Sequence, residues 1–373
     1  MFRFVHSSDL HIGKRFGNLP EDLRGRLREA RHQALGRLAG LARAQGASVI
    51  LLAGDTFDTE TPTPAMLRQS LAAMAEDPAL RWIVLPGNHD SRVADELWRT
   101  ALQHAPANVT LALEPEPVDV APGVVVLPAP CTARRPGRDL SEWMDGVTTG
   151  EGTLRIGLAH GAIRDFSEEG SSSDVLAPDR ASRAGLDYLA LGDWHGLTRI
   201  DARMWYSGTP EPDRFKHREP GRALVVSIEG SGAEPTVTPA ETGAFQWRTL
   251  DLRLFGDEDV NAALAQVLPT EMQRQSLLRI AAQGRTRLPA QAELKAAVEH
   301  AAPDFAHVIY EDGALVTVCE SGDLDRIDHA GALRQAAETL LAESDDPQRG
   351  EAERDIARGA LARLFSYSED APS

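Results

Sequence analysis

The sequence of 373 residues predicts an α/β fold of four layers, in which two β-sheets pack face to face and helices cover their outer sides. One observation behind this prediction is that short apolar runs alternate with helical stretches over the first 250 residues. A second is that the apolar runs end abruptly in polar clusters, which is typical of strands that carry a site at their carboxyl ends. The five runs with their polar ends are residues 2–11, 47–58, 81–90, 154–161 and 188–196.

Helical stretches separate the first three runs, at residues 21–45 and 63–77. In the first stretch leucines recur near helical spacing, which predicts an amphipathic helix. Three later runs, at residues 204–208, 222–230 and 249–255, are separated by turn residues and predict a second, more antiparallel sheet. The leucines of the first helix are Leu23, Leu27, Leu35, Leu38 and Leu41.

The pattern changes near residue 255, which predicts a further domain. We expect a large domain over residues 1–250, a small α+β domain over 255–325 and C-terminal helices over 330–366. Residues 167–179 and 320–331 are predicted to be polar loops. The remaining predicted elements are a strand at 276–286, a helix at 290–301, a strand at 307–320, and helices at 330–343 and 349–365.

Charge and cysteine content narrow the class of protein. The net charge of −17 argues against a protein that coats nucleic acid through general positive charge. Residues 251–373 hold 23 acidic and 12 basic side chains, a net charge of −11, so a basic groove in the first part stays open. The sequence has no apolar run of about 18 residues, so no membrane span is expected. Two distant cysteines and a start that is typical of a strand, without a signal peptide, predict a cytoplasmic protein.

The five polar clusters contain residue types that bind metals. Each cluster alone has an ordinary explanation, such as a turn, an Asx-turn or a buried histidine held by hydrogen bonds. Because sites in open α/β sheets form at the carboxyl ends of strands, five such clusters together indicate a common site. In chain order they supply Asp9 and His11, then Asp55 and Asp58, then Asn88, His89 and Asp90, then His160, then Asp193 and His195.

Carboxylates, imidazoles and one amide oxygen form a donor set for Mn²⁺, Fe²⁺ or Zn²⁺, and the absence of cysteine argues against a structural zinc site. Two such ions need a bridging carboxylate, for which Asp55 is the natural candidate. Asp9 and His11 are expected to lie on an extended segment and to point to one face. Asn88 offers a neutral oxygen, whereas the adjacent His89 points elsewhere, which suits an acid or a donor to the transition state.

These motifs resemble those of the calcineurin-like metallophosphoesterase superfamily and, within it, the DNA-repair exonucleases of the SbcD type. The resemblance lies in VHSSDLHIGK, LLAGDTFD, LPGNHD, LAHG and WYSGTPEPDRF and covers roughly residues 1–220, whereas residues 255–320 match only as a small α+β cap. It implies a two-sheet metallophosphoesterase sandwich with a catalytic domain at 1–250 and a capping domain at 255–325. It also implies two divalent ions, Mn²⁺ first and Fe²⁺, Zn²⁺ or Mg²⁺ as alternatives, and hydrolysis of phosphodiester bonds by a metal-bridging hydroxide.

The sequence departs from the family pattern at two positions. Asp193 stands where family members usually have a histidine, and Asp58 stands where these repair nucleases often have one. Both changes make the site harder and more anionic, and a carboxylate is a competent ligand for Mn²⁺ or Fe²⁺. The resemblance places His89, with Asp58, among the catalytic residues. It implies that Asp9, His11, Asp55 and His195 hold one metal and that Asp55, Asn88, His160 and Asp193 hold the other.

Cations close to the predicted site are candidate contacts to substrate phosphates. We assign this role to Lys14, Arg15 and Arg214, with solvated surface loops as an equal alternative. Arg134, Arg135 and Arg138 form a further basic loop. Trp194 is expected to pack against the protein in preference to stacking on a base.

The partners implied by the resemblance are DNA, an SbcC-type coiled-coil ATPase of the SMC-like class and a second copy of this chain, with no membrane. In the resembled nucleases C-terminal helices dock on that ATPase. An apolar stripe in the last helix is compatible with such docking, although most stripes pack on their own domain. The stripe consists of Ile356, Ala360, Leu361, Leu364 and Phe365.

Three functions are compared. The first is a metal-dependent DNA nuclease acting in repair, favoured by the predicted cap and the motif at residues 205–215. The second is a phosphodiesterase or phosphatase for nucleotides or other small phosphoesters, favoured by the acidic net charge and Asp193. The third, a scaffold without activity, is disfavoured because each expected ligand position holds a side chain that can bind a metal.

Overall fold

The computed structural model describes residues 1–163, 175–216, 219–256, 258–319, 321–328 and 330–370. The chain forms two compact units, Met1–Gln246 and Trp247–Ser373. Most of the polar loop predicted at 167–179 lies outside the described residues, and its last part forms a short strand at Val175–Leu176. No helix in these described ranges is long and apolar enough to span a membrane.

The first unit alternates strands and helices, as the sequence predicts. Its helices are α1 (Glu21–Gln45), α2 (Pro64–Ala75), α3 (Asp95–His104) and α4 (Arg180–Arg183), with a 3-10 helix at Glu142–Gly146. Its strands are β1 (Phe2–Ser7), β2 (Val49–Leu52), β3 (Arg81–Val84), β4 (Val109–Leu111), β5 (Val118–Ala121), β6 (Val124–Ala129), β7 (Leu154–His160), β8 (Ala162–Ile163), β9 (Val175–Leu176), β10 (Tyr188–Gly192), β11 (Thr198–Arg199), β12 (Met204–Tyr206), β13 (Arg222–Ile228) and β14 (Thr236–Glu241).

Two sheets form the centre of this unit. The first has the order β14-β13-β1-β2-β3-β4, and the second has the order β11-β12-β10-β7-β6-β5. Strands β1 to β4 are parallel to one another, and so are β6, β7, β10 and β12. The parallel strands therefore direct their carboxyl ends to one edge of each sheet, where the polar clusters follow.

The core explains why these strands are apolar on both faces. In β1 and β2, Phe4 and Leu51 pack between the sheets, whereas Val5 and Ile50 pack under the helices. This alternation is expected for parallel strands that are covered on both sides. The outer side of the second sheet is closed by a separate cluster that includes Leu189 and residues of α4. The two sheets and their coverings are the predicted four layers, so the predicted fold class is confirmed.

Helix α1 shows how the leucine spacing produces this packing. Leu23, Leu27, Leu35 and Leu38 are buried, whereas Leu41 packs at the edge of the cluster. The helix ends at Gly46, whose left-handed conformation at φ 65° suits the residue after a helix.

The prediction for the later strands was wrong. Strand β12 joins the second sheet parallel to β10, and β13 joins the first sheet antiparallel to β1. The run at 249–255 belongs to a third sheet in the second unit. Apolar runs define strands but carry little information about which strand pairs with which, so chain neighbours were taken as sheet neighbours.

The second unit contains a three-stranded sheet, helices on the strand connections and a C-terminal helical group. A loop prediction at 320–331 was wrong over 321–327, because Leu324 and Ile327 are buried with Leu288, Leu361 and Phe365. The elements are β15 (Gln246–Gly256), α5 (Val260–Val267), β16 (Ser276–Arg287), α6 (Leu288–Ala301), β17 (His307–Val318), α7 (Ser321–Ile327), α8 (Ala332–Asp345) and α9 (Glu351–Asp370), with 3-10 helices at Gln273–Gln275 and Ala302–Asp304.

The apolar stripe of α9 is divided between the core and the surface of this unit. Leu361 and Phe365 are buried within it, whereas Ile356 is 73% exposed. The central part of the stripe thus packs on its own unit, which is the more common role of such stripes.

Candidate metal centre

The five polar clusters meet at the carboxyl ends of strands in the two sheets. The parallel neighbours β1, β2 and β3 are each followed by a loop that carries part of the site. In the second sheet, His160 is the last residue of β7, and Asp193 directly follows β10. Side chains that lie far apart in the sequence are thereby brought together between the two sheets.

Four of the predicted ligands lie on a backbone with positive φ: Asp9 at 55°, His11 at 43°, Asp55 at 53° and Asp193 at 98°. The prediction that Asp9 and His11 lie on an extended segment was therefore wrong, since β1 ends at Ser7. Residues other than glycine seldom adopt this conformation, and where they do they often mark a functional site. Backbone hydrogen bonds from Asp9 N to Gly54 O (3.1 Å) and from His11 N to Asp55 O (2.9 Å) hold the two loops together.

Two glycines are required by close packing at this site. A Cβ atom on Gly87 would lie 2.1 Å from Asp55 Oδ1. A Cβ atom on Gly192 would lie 2.0 Å from Ala53 O and 2.8 Å from His160 Nδ1. Larger residues at either position would push the candidate ligands away from each other.

The first group of candidate ligands converges on a pair of imidazole nitrogens. His11 Nε2 lies 3.2 Å from His195 Nε2, and each lies 3.9 Å from Asp9 Oδ1. Asp55 Oδ2 lies 3.6 Å from His11 Nε2. These side chains are buried, and Asp9, His11 and His195 are close enough to hold one metal ion.

The second group surrounds the other oxygen of Asp55. Asp55 Oδ1 lies 3.5 Å from His160 Nε2, and Asp193 Oδ1 lies 3.8 Å from the same nitrogen. Asn88 Nδ2 donates to Asp193 Oδ1 at 2.9 Å. The two oxygens of Asp55 thus face different groups, which is the arrangement that a bridging carboxylate requires.

The hydrogen bonding of these side chains fits a bound cation. Among the described residues, Asn88 Oδ1 and His160 Nε2 are buried polar atoms that find no hydrogen-bond partner. Buried polar atoms are rarely left in this state unless a water or an ion satisfies them. His160 Nδ1 is within 2.8 Å of Ala53 O, so a proton on Nδ1 leaves the lone pair on Nε2 for a metal.

The ionisation of the centre also depends on a cation. Burial raises the pKa of Asp55 well above its usual range, whereas burial together with the neighbouring His195 lowers that of His11 well below it. Burial alone would lower the pKa of His160, but Asp55, Asp9 and Asp193 outweigh it and raise the pKa to about 9. A divalent metal would replace the proton of His160 as the partner of these carboxylates.

The two residues assigned to catalysis lie beside the first group. The ring of His89 contacts the ring of His11 edge to face, with 4.8 Å between centroids, and its Nδ1 lies 3.1 Å from Asp58 O. Burial, followed by the charge of Arg134 among the lowering causes, lowers the pKa of His89. The carboxylate of Asp58 faces the ring of His11, with 3.1 Å between Oδ1 and Nδ1.

The three predicted substrate contacts occupy different environments. Lys14 Nζ lies 2.8 Å from Asp213 Oδ2, and Arg214 Nε donates to Asp213 Oδ1 at 3.0 Å. Arg15 is exposed. Trp194 packs at the edge of the cluster outside the second sheet, as predicted, and Lys216 Nζ lies 5.7 Å from its ring centroid.

Two supporting residues were missed in the sequence. Arg31 of α1 is fully buried, donates to Leu10 O and to Glu211 O, and lies 3.4 Å from Asp213 Oδ2. Burial would raise the pKa of Asp213, but His195, Arg31 and Lys14 hold it well below its usual range. A signal for Arg31 was present, because it lies four residues from both Leu27 and Leu35 on the apolar face of the helix.

A curated relative and a solved structure are similar to parts of this chain. The relative, the SbcD subunit of the nuclease SbcCD of Rhodobacter capsulatus, is 28% identical over 258 residues, which are 56% of this chain and 62% of the relative. The chain thus spans less than two thirds of the length of that relative. The solved structure of TT1561 of Thermus thermophilus covers 64% of this chain and 98% of its own, with a TM-score of 0.39 and 13% identity.

The family comparison covers the unit that contains the candidate centre. The model of the calcineurin-like phosphoesterase family matches residues 2–227. This range is more than half of the chain and includes all the candidate ligands described above. The chain therefore belongs to the calcineurin-like phosphoesterase family.

Proposed function

We propose that this protein is a two-metal phosphodiesterase that cleaves DNA, a nuclease of the SbcD type acting in DNA repair. Membership of the family supports hydrolysis of phosphoesters with divalent metals. The observation that carries the proposal is the position of Asp55, whose two carboxylate oxygens face two separate groups of candidate ligands. Asp9, His11, Asp55 and His195 would hold one ion, and Asp55, Asn88, His160 and Asp193 would hold the other.

Two divalent ions, with Mn²⁺ as our first choice, would supply Lewis-acid stabilisation of the phosphoryl oxygens and a lowered pKa for the attacking water. The protein's own residues fix the geometry around them. His89 is held through Nδ1 at Asp58 O, which leaves Nε2 as the atom that can give a proton to the leaving oxygen. The hydrogen bond from His89 N to Asp55 Oδ1 (2.9 Å) ties this acid to the bridging carboxylate.

Two lines of support favour DNA as the substrate. The relative from Rhodobacter capsulatus is named as part of a nuclease. In addition, exposed Arg134 follows β6, and its charge acts on His89. The loop that carries it is anchored to the loop of His89 by hydrogen bonds from Cys131 N to Pro86 O (3.1 Å) and from Arg92 N to Cys131 O (2.8 Å). We therefore add Arg134 to Arg15 as a candidate contact to the phosphate backbone.

The acidic net charge and Asp193 favour a second candidate, a phosphodiesterase for small nucleotides or other phosphoesters. Purified protein with Mn²⁺ should be assayed on end-labelled duplex DNA and, in parallel, on bis-p-nitrophenyl phosphate. We expect shortening of the labelled strand that depends on Mn²⁺. Rapid cleavage of the small ester with intact DNA would overturn the nuclease proposal and favour the second candidate.

A partner ATPase is part of the same proposal. The name of the relative describes one component of a larger nuclease, and the resemblance implies an SbcC-type coiled-coil partner. Exposed Ile356 and Tyr367 on α9 are apolar positions that such a partner could cover. Co-expression with the matching ATPase, followed by size-exclusion chromatography of the wild type and of Ile356→Asp, tests this part. Equal co-elution of both proteins would exclude α9 as the docking helix.

A further inference from the structure

We propose that Asp58, Asp213 and Lys14 form a positioning network behind the metal centre that orients His11 and His195 toward one metal ion. The inference deepens the proposed function and rests on it. It gives Asp58 and Lys14 a supporting role in place of the catalytic and substrate-binding roles that the motifs suggest.

The two imidazoles have the same arrangement. Each presents Nε2 to the centre, where the two nitrogens lie 3.2 Å apart, and each has a carboxylate at Nδ1 on the other side of its ring. For His11 the carboxylate is Asp58, with 3.1 Å between Nδ1 and Oδ1. For His195 it is Asp213, with 3.6 Å between Nδ1 and Oδ1. A carboxylate in this position favours the proton on Nδ1 and leaves the Nε2 lone pair for the metal.

Lys14 connects the two carboxylates. Its Nζ lies 2.8 Å from Asp213 Oδ2 and 3.8 Å from Asp58 Oδ1. Arg31, which is fully buried, lies 3.4 Å from the same oxygen of Asp213. The side chain of Asp213 has no exposed surface, so these cations compensate the cost of burying its charge.

The arrangement gives a physical reason for Asp58 at a position where related nucleases often have a histidine. A carboxylate can pair with Lys14 and face the protonated Nδ1 of His11 at the same time, because it only accepts hydrogen bonds. A neutral histidine there could offer Nδ1 of His11 only one acceptor nitrogen and no negative charge. The negative charge of Asp58 therefore adds to the basicity of the His11 ligand.

Calorimetric titration with Mn²⁺ tests the network apart from activity. We expect Asp213→Asn and Asp58→Asn each to weaken Mn²⁺ binding about 10-fold to 100-fold, as is typical for partners of ligating histidines. Asp145→Asn is the matched control, because Asp145 also pairs with arginine, at 2.5 Å from Arg180 Nη1, but is outside both ligand groups. If the wild type binds no Mn²⁺, the proposed function fails. If it binds and both variants bind equally well, the network is overturned.

A second measurement separates positioning from a general loss of structure. Nitrogen-15 NMR of histidine-labelled, metal-free protein reports which ring nitrogen carries the proton. We expect His11 and His195 to be protonated on Nδ1, and we expect Asp213→Asn to change only the signal of His195 while thermal unfolding stays cooperative. Protonation of either ring on Nε2 in the wild type would contradict the proposal.

Discussion

The Nε2 atoms of His11 and His195 lie 3.2 Å apart, although the two residues belong to loops of different sheets. Two neutral imidazoles at this distance can share one proton, but both lone pairs can be used at once only by a cation. Asp9 Oδ1 lies 3.9 Å from each nitrogen and adds negative charge to the same point. The contact therefore indicates a position that is arranged for a metal ion.

Asp193→His tests whether Asp193 is a direct ligand. Its Oδ1 accepts a hydrogen bond from Asn88 and lies 3.8 Å from His160 Nε2, so a replacement imidazole would enter the second ligand group. Because imidazole suits Zn²⁺ better than a carboxylate does, we expect the ratio of Zn²⁺ to Mn²⁺ affinity to rise about 10-fold with activity retained. Competitive metal titration measures this ratio. An unchanged ratio and rate would make Asp193 a turn residue only.

His89→Ala should lower the turnover number by a factor of about 10²–10⁴, because it removes the group proposed to protonate the leaving oxygen. Metal content should stay the same, since His89 is absent from both proposed ligand sets. Steady-state kinetics and elemental analysis of the same preparation give both quantities. Loss of a metal ion together with activity would show that His89 is a ligand. His104→Ala, on the exposed end of α3, serves as the control.

Gly87→Ala should weaken metal binding and destabilise the fold by about 1–3 kcal/mol, because the new methyl group would lie 2.1 Å from Asp55 Oδ1. Gly36→Ala is the matched control in helix α1, where nothing lies within 4 Å of the added atom. That change should stabilise the protein by about 0.5–1 kcal/mol. Chemical denaturation and Mn²⁺ titration of both variants check the pair. Equal behaviour of the two variants would contradict the packing argument.

His6 predicts a specific loss of stability in acid. It connects the two sheets, with Nδ1 3.0 Å from Tyr188 Oη and Nε2 3.1 Å from Leu191 O, and burial lowers its pKa from 6.5 to about 3. The unfolded chain binds a proton below pH 6.5 while the folded chain does not, so stability falls as the pH drops from 6.5 toward 3. Between pH 6.5 and 4.5 the loss should be about 2–3 kcal/mol.

His6→Gln keeps a donor and an acceptor but cannot be protonated, so it should remove this part of the acid sensitivity. Denaturant unfolding at pH 6.5 and pH 4.5 measures the difference for both proteins. The same loss of stability in wild type and variant would show that His6 is not the responsible group.

The part of the molecule that the sequence predicts well is the set of strand ends. Each cluster combines a strand-length apolar run with polar residues at its end, and His160 closes β7 as that pattern requires. Gly54, with φ at 90° and Asp55 immediately after it, shows why a glycine precedes the ligand. Sheet partners were less predictable, since β12 and β13 have similar apolar patterns but join different sheets.

The supporting residues of the centre could not be found from motifs because they act through tertiary contacts. Asp213 reaches His195 only after β10 and β12 pair in the second sheet. Arg31 breaks the apolar face of α1, which marks it as unusual, but the sequence does not reveal the carbonyl groups that it contacts. The helix α7 was hidden by its content of Asp and Gly, and only the burial of Leu324 and Ile327 explains it.

The most direct test of the two-metal account is the number of Mn²⁺ ions bound per chain, measured by equilibrium dialysis and elemental analysis. We predict two ions per chain in the wild type and one in His195→Ala, because His195 belongs to one ligand group only. A wild-type protein that binds one ion or none at saturating Mn²⁺ would contradict the account.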